Sequence, residues 1–168
     1  IFNLLGPLTN PAGAKHQLLG VYEPGFVGLV AEALARLGSE RAVVVHGAGG
    51  LDEVSTLGAS EAAWVDGGRV VARAIEPAGI GVTDSIGVLQ ARDLEDGVRF
   101  VRAVLDGETG PEMRPKREIV VLNAGVALVV AGAVKGLEDG VARANQAIDS
   151  GKARAALDGL VRCSVGSV

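Results

Sequence analysis

"RAVVVHGAGGLDEVS" occupies residues 41–55, and its reading decides the fold. Its first half, Arg41 to Gly47, is short, β-branched and apolar, as a strand buried on both faces should be. Its second half is unusual for the exit of such a strand: three glycines, Gly47, Gly49 and Gly50, and then two adjacent carboxylates, Asp52 and Glu53. Neighbouring side chains on a strand point to opposite faces, so an Asp-Glu pair serves one ligand only where the backbone leaves regular geometry. Glycine permits that departure. Loops at the carboxyl ends of parallel strands line the ligand crevice of α/β sheets, and this loop is expected at such an end. Mg2+ takes carboxylate and phosphate oxygens while keeping several waters, so one or two acidic residues are a usual protein contribution to its site. A solvated surface turn has the same composition, and the motif alone leaves both readings open. The segment lacks the third glycine of a dinucleotide fingerprint and the lysine of a Walker A loop, which excludes both.

Outward from this segment, "HQLLGVY" (16–22) reads as a second buried strand. Between the two, "EPGFVGLVAEALARLGS" places Pro24 near a first helical turn, spaces Val27, Val30, Leu34 and Leu37 along one helical face, and offers Gly38 as the stop. Strand, helix, strand at this spacing makes a right-handed parallel crossover. After the carboxylates, "EVSTLG", "EAAWVDGG" and "RVVARAIEP" predict a small antiparallel extension, with the Asp-Gly-Gly of Asp66 to Gly68 as its hairpin turn. Beyond Gly81 the period becomes helical: Leu94, Val98, Val101 and Leu105 form one stripe, and Leu137, Val141, Ala144 and Ile148 another. "LEDGV" occurs at Leu94 and again at Leu137; the flanks differ, and both copies are expected to start helices, where acidic residues complement the helix dipole. The expectation is one α/β domain spanning residues 1–168, a mostly parallel sheet flanked by helices with a helical C-terminal half, and a last segment, "LVRCSVGSV", that frays.

Composition agrees. Of 168 residues 48% are hydrophobic but only 3% aromatic, so the core is built from Val, Leu, Ile and Ala. A formal charge of −4 with dispersed Lys and Arg shows no footprint for nucleic acid or an acidic membrane surface. One cysteine, Cys163, allows no internal disulfide, which suits the cytoplasm. The longest strongly apolar stretch, Ile119 to Ala131, is shorter than the roughly 20 residues a membrane helix needs, and reads as a buried core helix. The chain opens on "IFNLLGPLTNP" without Met and without an N-cap before its apolar run, so truncation of a longer protein is expected.

Other polar residues invite weighing. His46 ends the strand near the carboxylates, suited to proton transfer or phosphate binding or simply hydrogen-bonded; His16 is similar with less interest. Cys163 has no histidine near it in sequence and reads as a packed thiol. Asn123 interrupts an apolar helix and either caps a neighbouring loop or bonds a ligand. In "NLLGPLTNPAG", Gly6, Pro7 and Pro11 make either a rigid wall for a planar ligand or an ordinary turn ending a helix.

Taken together, "IFNLLGPLTNPAG", "QLLGVYEP", "LGSERAVVVHGAGGLDEVS", "IVVLNAGVALVVAG" and "GLEDGVARANQAIDSGKARAALDGL" resemble the anthranilate phosphoribosyltransferase family over nearly the whole chain. The resemblance implies transfer of a phosphoribosyl group from phosphoribosyl pyrophosphate to the amino nitrogen of anthranilate, with pyrophosphate released. It implies Mg2+ on the pyrophosphate, with Asp52 and Glu53 matching the family's metal-binding pair, and Gly6 and Pro7 matching a segment near the anthranilate channel. It further implies a cytoplasmic homodimer. The family's upstream helical domain, its Gly-Thr-Gly-Gly-Asp phosphate loop, its Lys-His-Gly-Asn segment and an anthranilate-binding arginine have no match here, so this chain alone is expected to be inactive. Two other readings stand beside this one: a pyrimidine-nucleoside phosphorylase relative, and a non-catalytic nucleic-acid-binding relative of the same fold, which the charge opposes.

Overall fold

The computed structural model describes residues 6–77, 80–81 and 83–166. Its elements run β1 (His16–Gly20), α1 (Phe26–Arg36), β2 (Arg41–His46), β3 (Glu61–Asp66), β4 (Arg69–Ala72), a 3-10 turn (Ile86–Val88), α2 (Leu94–Leu105), α3 (Met113–Val130), α4 (Leu137–Asp149) and α5 (Lys152–Val165). The expected middle-of-an-element start at Ile1 to Leu5 lies outside the described residues.

The four strands form one sheet in the order β1-β2-β3-β4. β1 and β2 pair in parallel with Leu18 opposite Val43, as the crossover through α1 requires. β2 and β3 are antiparallel, with Val43 opposite Trp64, and β3 and β4 form an antiparallel hairpin. The sheet is therefore mixed rather than mostly parallel: the antiparallel part supplies two of its three pairings. Apolar runs look alike in either pairing, and it is the reversal of the chain after β2 that sends β3 back antiparallel. The hairpin turns at Gly67 and Gly68, at φ 54° and 85°, values that need glycine in a tight two-residue turn.

β2 is the centre of the molecule, its residues Ala42 to Val45 each no more than 1% exposed. Alternation splits them between two cores. Ala42 and Val44 pack with Val27, Val30, Ala31 and Leu34 of α1, while Val43 and Val45 pack with Leu122, Val126 and Val130 of α3. A third cluster of Val104, Met113, Val121, Ala144 and Ile148 joins α2, α3 and α4. α1 ends as expected at Gly38, φ 85°, where the Ser39 N–H donates to Leu34 and the Gly38 N–H to Ala35. Leu37 lies outside the buried face, exposed at the helix end.

The two predicted helical stripes have opposite fates. On α4, Ala144 and Ile148 are buried and Leu137 and Val141 pack against the cores, as expected. On α2, Leu94 is 84% exposed, and Val98 and Val101 also face outward. α2 instead turns inward its other face, with Ala103, Val104 and the buried carboxylate of Asp96, which Arg92 and Arg99 clasp at 2.6 and 3.1 Å. The Asp96 N–H donates to the capping carboxylate of Asp93 at 2.8 Å, and the two guanidinium groups hold the Asp96 carboxyl well below the ordinary carboxylate range. The periodicity identified an apolar face but not what covers it. Cys163 is another correction: it is exposed on α5 rather than packed. α5 runs to Val165, and the last two residues of the segment expected to fray lie outside the described residues. None of the described helices is long and apolar enough to cross a membrane.

Both copies of "LEDGV" do open helices, and their glycines do different work. A Cβ on Gly140 would lie 2.5 Å from the Gly125 carbonyl oxygen, so α3 and α4 cross with backbones in contact. A Cβ on Gly97 would meet Ala91 at 3.8 Å, an ordinary contact. Alanine in a helix is favoured over glycine by roughly 1 kcal/mol, so Gly97→Ala should stabilise by up to about that amount. Gly140→Ala should destabilise by about 1–3 kcal/mol, because overpacking a backbone contact outweighs propensity. Urea unfolding of the two variants measures both signs; equal effects would mean that the α3–α4 crossing is looser than described.

Candidate functional site

The loop after β2 is built by close approaches. Gly47 and Leu51 exchange backbone hydrogen bonds, at 2.7 Å from the Gly47 N–H and 3.3 Å from the Leu51 N–H, closing a tight reversal. Gly49 and Gly50 sit at its tip with φ of 84° and 79°, which only glycine adopts without strain. The reversal lays Asp52 directly on the end of β1: a Cβ at Gly20 would stand 1.5 Å from the Asp52 carbonyl oxygen. Gly47 is equally constrained, its absent Cβ falling 2.3 Å from the Glu53 carbonyl oxygen. Two glycines, one ending β1 and one just past the end of β2, thus admit the carboxylate loop. The sequence reading named Gly47 and missed Gly20, although a lone glycine ending an apolar strand is a sign of close backbone approach.

Past the carboxylates the chain is buried, and Val54, Ser55 and Thr56 are fully enclosed. Ser55 laces the loop: its hydroxyl donates to the Ala48 carbonyl at 2.8 Å and accepts from the Leu57 N–H, while its own N–H donates to Ser60 Oγ. The hydroxyls of Thr56 and Thr83 lie 2.8 Å apart, tying in the segment before the 3-10 turn. From the facing side, Asn123 of α3 accepts from the Val54 N–H at 2.9 Å and donates to the Val54 carbonyl at 2.8 Å, the Ile119 carbonyl at 2.9 Å and Glu53 Oε2 at 3.3 Å. Asn123 thus holds a loop, one of the two roles open to it in the sequence.

Asp52 and Glu53 are left exposed on this base. Partial desolvation, and then the charge of Asp52, push the Glu53 carboxyl above its ordinary value. Paired hard oxygens that repel one another, on a loop fixed from beneath, fit a divalent cation carrying further oxygen ligands. Among the described residues no group of three or more His, Cys, Asp or Glu is gathered to hold a metal by itself, so any cation here would take its remaining ligands from water or phosphate. Beside Glu53 runs an apolar groove of about 250 Å³ walled by Leu89, Phe100, Val101, Ile119 and Val120. Lys116 closes it, its ammonium donating to the Val88 carbonyl at 2.7 Å and lying 4.1 Å from the Phe100 ring.

The other candidates fall elsewhere. His46 Nδ1 lies 2.9 Å from the Val21 carbonyl, which can only accept, so the ring donates and pins the turn after β1 to the end of β2. His16 lies 3.9 Å from Glu40 at the opposite end of β1. Gly6 and Pro7 are exposed, and Pro7 borders a cleft with Ala14, Lys15, Gln17 and the end of α1, so the structure does not bring them beside Asp52 and Glu53. A cleft of about 390 Å³ near Trp64 gathers Arg41, Arg69, Arg73 and Lys135 at the far end of β2. It also borders Val129 and Val130, at the C-terminal end of α3, where cations complement the helix dipole without any ligand.

The chain belongs to the glycosyl transferase family, a/b domain, whose pattern matches residues 1–154. Within that class it is 45% identical over 165 residues to the anthranilate phosphoribosyltransferase of Azorhizobium caulinodans, across 98% of this chain and 47% of that protein. It is 50% identical over 155 residues to the enzyme of that name from Rhodospirillum rubrum, across 92% of this chain and 44% of the relative. Among solved structures it is similar to anthranilate phosphoribosyltransferase from Saccharomyces cerevisiae in complex with PRPP and Mg, with a TM-score of 0.86 and 27% identity over 99% of this chain and 47% of that one. The Thermus thermophilus enzyme matches with a TM-score of 0.78 and 40% identity over 94% of this chain and 45% of that one. The chain spans about half the length of the curated relatives it matches.

The raised pKa of Glu53 has a sign that can be measured. A carboxyl with a folded pKa above its unfolded value favours the fold while protonated, and that contribution is lost as pH rises through the folded pKa. Glu53→Gln should therefore melt higher than the parent near neutral pH without added metal, and the gap should close on acidification below the ordinary glutamate range. Thermal melts across roughly pH 3 to 8, a span that reaches below the ordinary glutamate range, make the comparison. A variant that melts lower at neutral pH would mean that the Glu53 charge is already compensated within the chain.

Proposed function

We propose that this chain is the α/β part of an anthranilate phosphoribosyltransferase, which transfers the phosphoribosyl group of phosphoribosyl pyrophosphate to anthranilate in tryptophan biosynthesis. The observation that carries the reading is identity of 45% and 50%, sustained over nearly the whole chain, to proteins of that name. The acidic loop agrees with it chemically. In the reaction the bond from the ribose anomeric carbon to pyrophosphate breaks, the anthranilate nitrogen supplies the electron pair for the new carbon–nitrogen bond, and that nitrogen loses a proton. Positive charge gathers on the ribose and negative charge on the departing pyrophosphate, as in other glycosyl transfers. Asp52 and Glu53 would hold Mg2+, which when bound neutralises pyrophosphate and improves it as a leaving group.

What the chain's own residues contribute is position. Gly20 and Gly47 let the loop lie on the sheet, Ser55 braces its interior, and Asn123 holds its inner segment at Val54. Two carboxylates so fixed meet their ligand without the cost of ordering a mobile loop, which is where catalysis by preorganisation begins. Gly6 and Pro7 belong to the proposal as acceptor-side residues on the family resemblance, and both are exposed. The outward stripe of α2 and the groove beside Glu53 are apolar surfaces that a larger protein would cover. Because the family's phosphate loop and anthranilate-binding arginine have no match in these 168 residues, the chain alone is inactive on this reading. A cytoplasmic homodimer completes the proposal, on the family resemblance. The relatives named above favour the anthranilate reading over the phosphorylase one, and a formal charge of −4 opposes the nucleic-acid one.

The test is loss of anthranilate fluorescence with phosphoribosyl pyrophosphate and Mg2+, measured on this chain and on the full-length protein that contains it. Activity is expected only in the full-length protein. The Asp52→Asn/Glu53→Gln pair should reduce it by about a hundredfold or more, since lost metal charge stabilisation is worth several kcal/mol and each 1.4 kcal/mol is tenfold. No activity in the full-length protein would remove the anthranilate assignment.

A further inference from the structure

We propose that Asn123 is a positioning residue for Glu53, setting the affinity of the acidic loop for its divalent cation without touching the cation itself. The inference rests on the reading of Asp52 and Glu53 as metal ligands. Asn123 lies in an otherwise apolar stretch of α3, where a primary amide is costly to bury unless its groups are bonded. They are bonded, and three of the four contacts go to the acidic loop. The orientation of the amide is dictated: its oxygen faces the one N–H, and its nitrogen faces three oxygens, so the flipped amide would set like against like.

Val54, fully buried, has its N–H and its carbonyl both bonded by this single side chain. Without Asn123 both groups would be buried and unpaired, a cost the loop avoids only by moving. Glu53 is the residue immediately before, and its Oε2 takes the longest contact, 3.3 Å, from a nitrogen with two hydrogens shared among three acceptors. That bond orients the carboxylate while leaving its other lone pairs open. α3 in turn cannot shift easily, because Gly125 and Gly140 lock it against α4 by backbone contact. The chain of constraint thus runs from the α3–α4 crossing through one amide to the carboxylate.

Asn123→Ser separates the two jobs of the side chain. A helical serine bonds the carbonyl four residues back, which here is Ile119, but is too short to span both groups of Val54. In the full-length protein, Mn2+ binding followed by electron paramagnetic resonance in the presence of pyrophosphate should weaken by about tenfold to a hundredfold, the usual effect of removing a partner that orients a ligand. The Mg2+ concentration for half-maximal activity should rise by a similar factor, and by more than kcat falls. The Val54 amide should exchange with deuterium faster than in the parent. In a Glu53→Gln background Asn123→Ser should weaken Mn2+ no further, since its effect passes through that carboxylate.

Unchanged Mn2+ affinity in Asn123→Ser, where Glu53→Gln does weaken binding, overturns the positioning role and leaves the metal reading intact. Unchanged affinity in Glu53→Gln itself overturns the metal reading, and this inference with it. Should Asn123→Ser not fold, the parent protein decides: a protected Val54 amide sustains the clamp, and a freely exchanging one ends it.

Discussion

The acidic end of the molecule depends on one steric fact: the backbone of Asp52 occupies the space where any side chain at Gly20 would be. Only hydrogen fits there. From that contact come the sharp reversal at Gly47 to Leu51, the need for left-handed glycines at its tip, and the enclosure of Val54 to Thr56 beneath the carboxylates. The loop is therefore a layer packed on the sheet, and its rigidity comes from hydrogen bonding of the kind usually found in cores. Partial desolvation on this packed layer, and then the neighbouring charge of Asp52, are why the Glu53 carboxyl resists ionisation.

The layering beneath it divides the labour. β2 gives one set of alternating residues to α1 and the other to α3, so a single strand couples the parallel crossover unit to the helical half. The crossover supplies the floor of the loop through Gly20, and the helical half supplies its clamp through Asn123. Neither half makes the site alone.

Much of this was legible in residue order. The strands at 16–22 and 41–47, the helix stopping at Gly38, the Asp66–Gly68 hairpin and the inward stripe of α4 all derive from local periodicity and turn chemistry, which depend on near neighbours. Partners distant in sequence were not legible. The antiparallel hairpin was read from its turn, but not that β3 pairs directly with β2, which makes the sheet mixed in place of mostly parallel. The stripe of α2 is apolar in the same way as that of α4, yet it faces outward, because Asp96 and its arginines fix the opposite face inward. Of the candidate site, Asp52 and Glu53 stood out through their glycines, and Asn123 stood out as a polar residue among apolar ones. Its partner could not be read, since Val54 lies 69 positions away.

That separation has a kinetic meaning. The β1–α1–β2 unit closes through contacts some 25 residues apart, such as the pairing of Leu18 with Val43 and the bond from His46 to Val21. The clamp on Val54 must wait until α3 has been made and docked, across a much longer loop of chain, and contacts of high sequence separation form late because their closure entropy is met only then. The sheet can thus take shape with its acidic loop still unfastened. On the ribosome the loop emerges well before the helix that fastens it, and in that interval the two carboxylates are tethered charges with no fixed geometry. On the proposed reading of Asp52 and Glu53, competence to bind a cation is a last event of folding, arriving with a helix that contributes no carboxylate of its own to the loop.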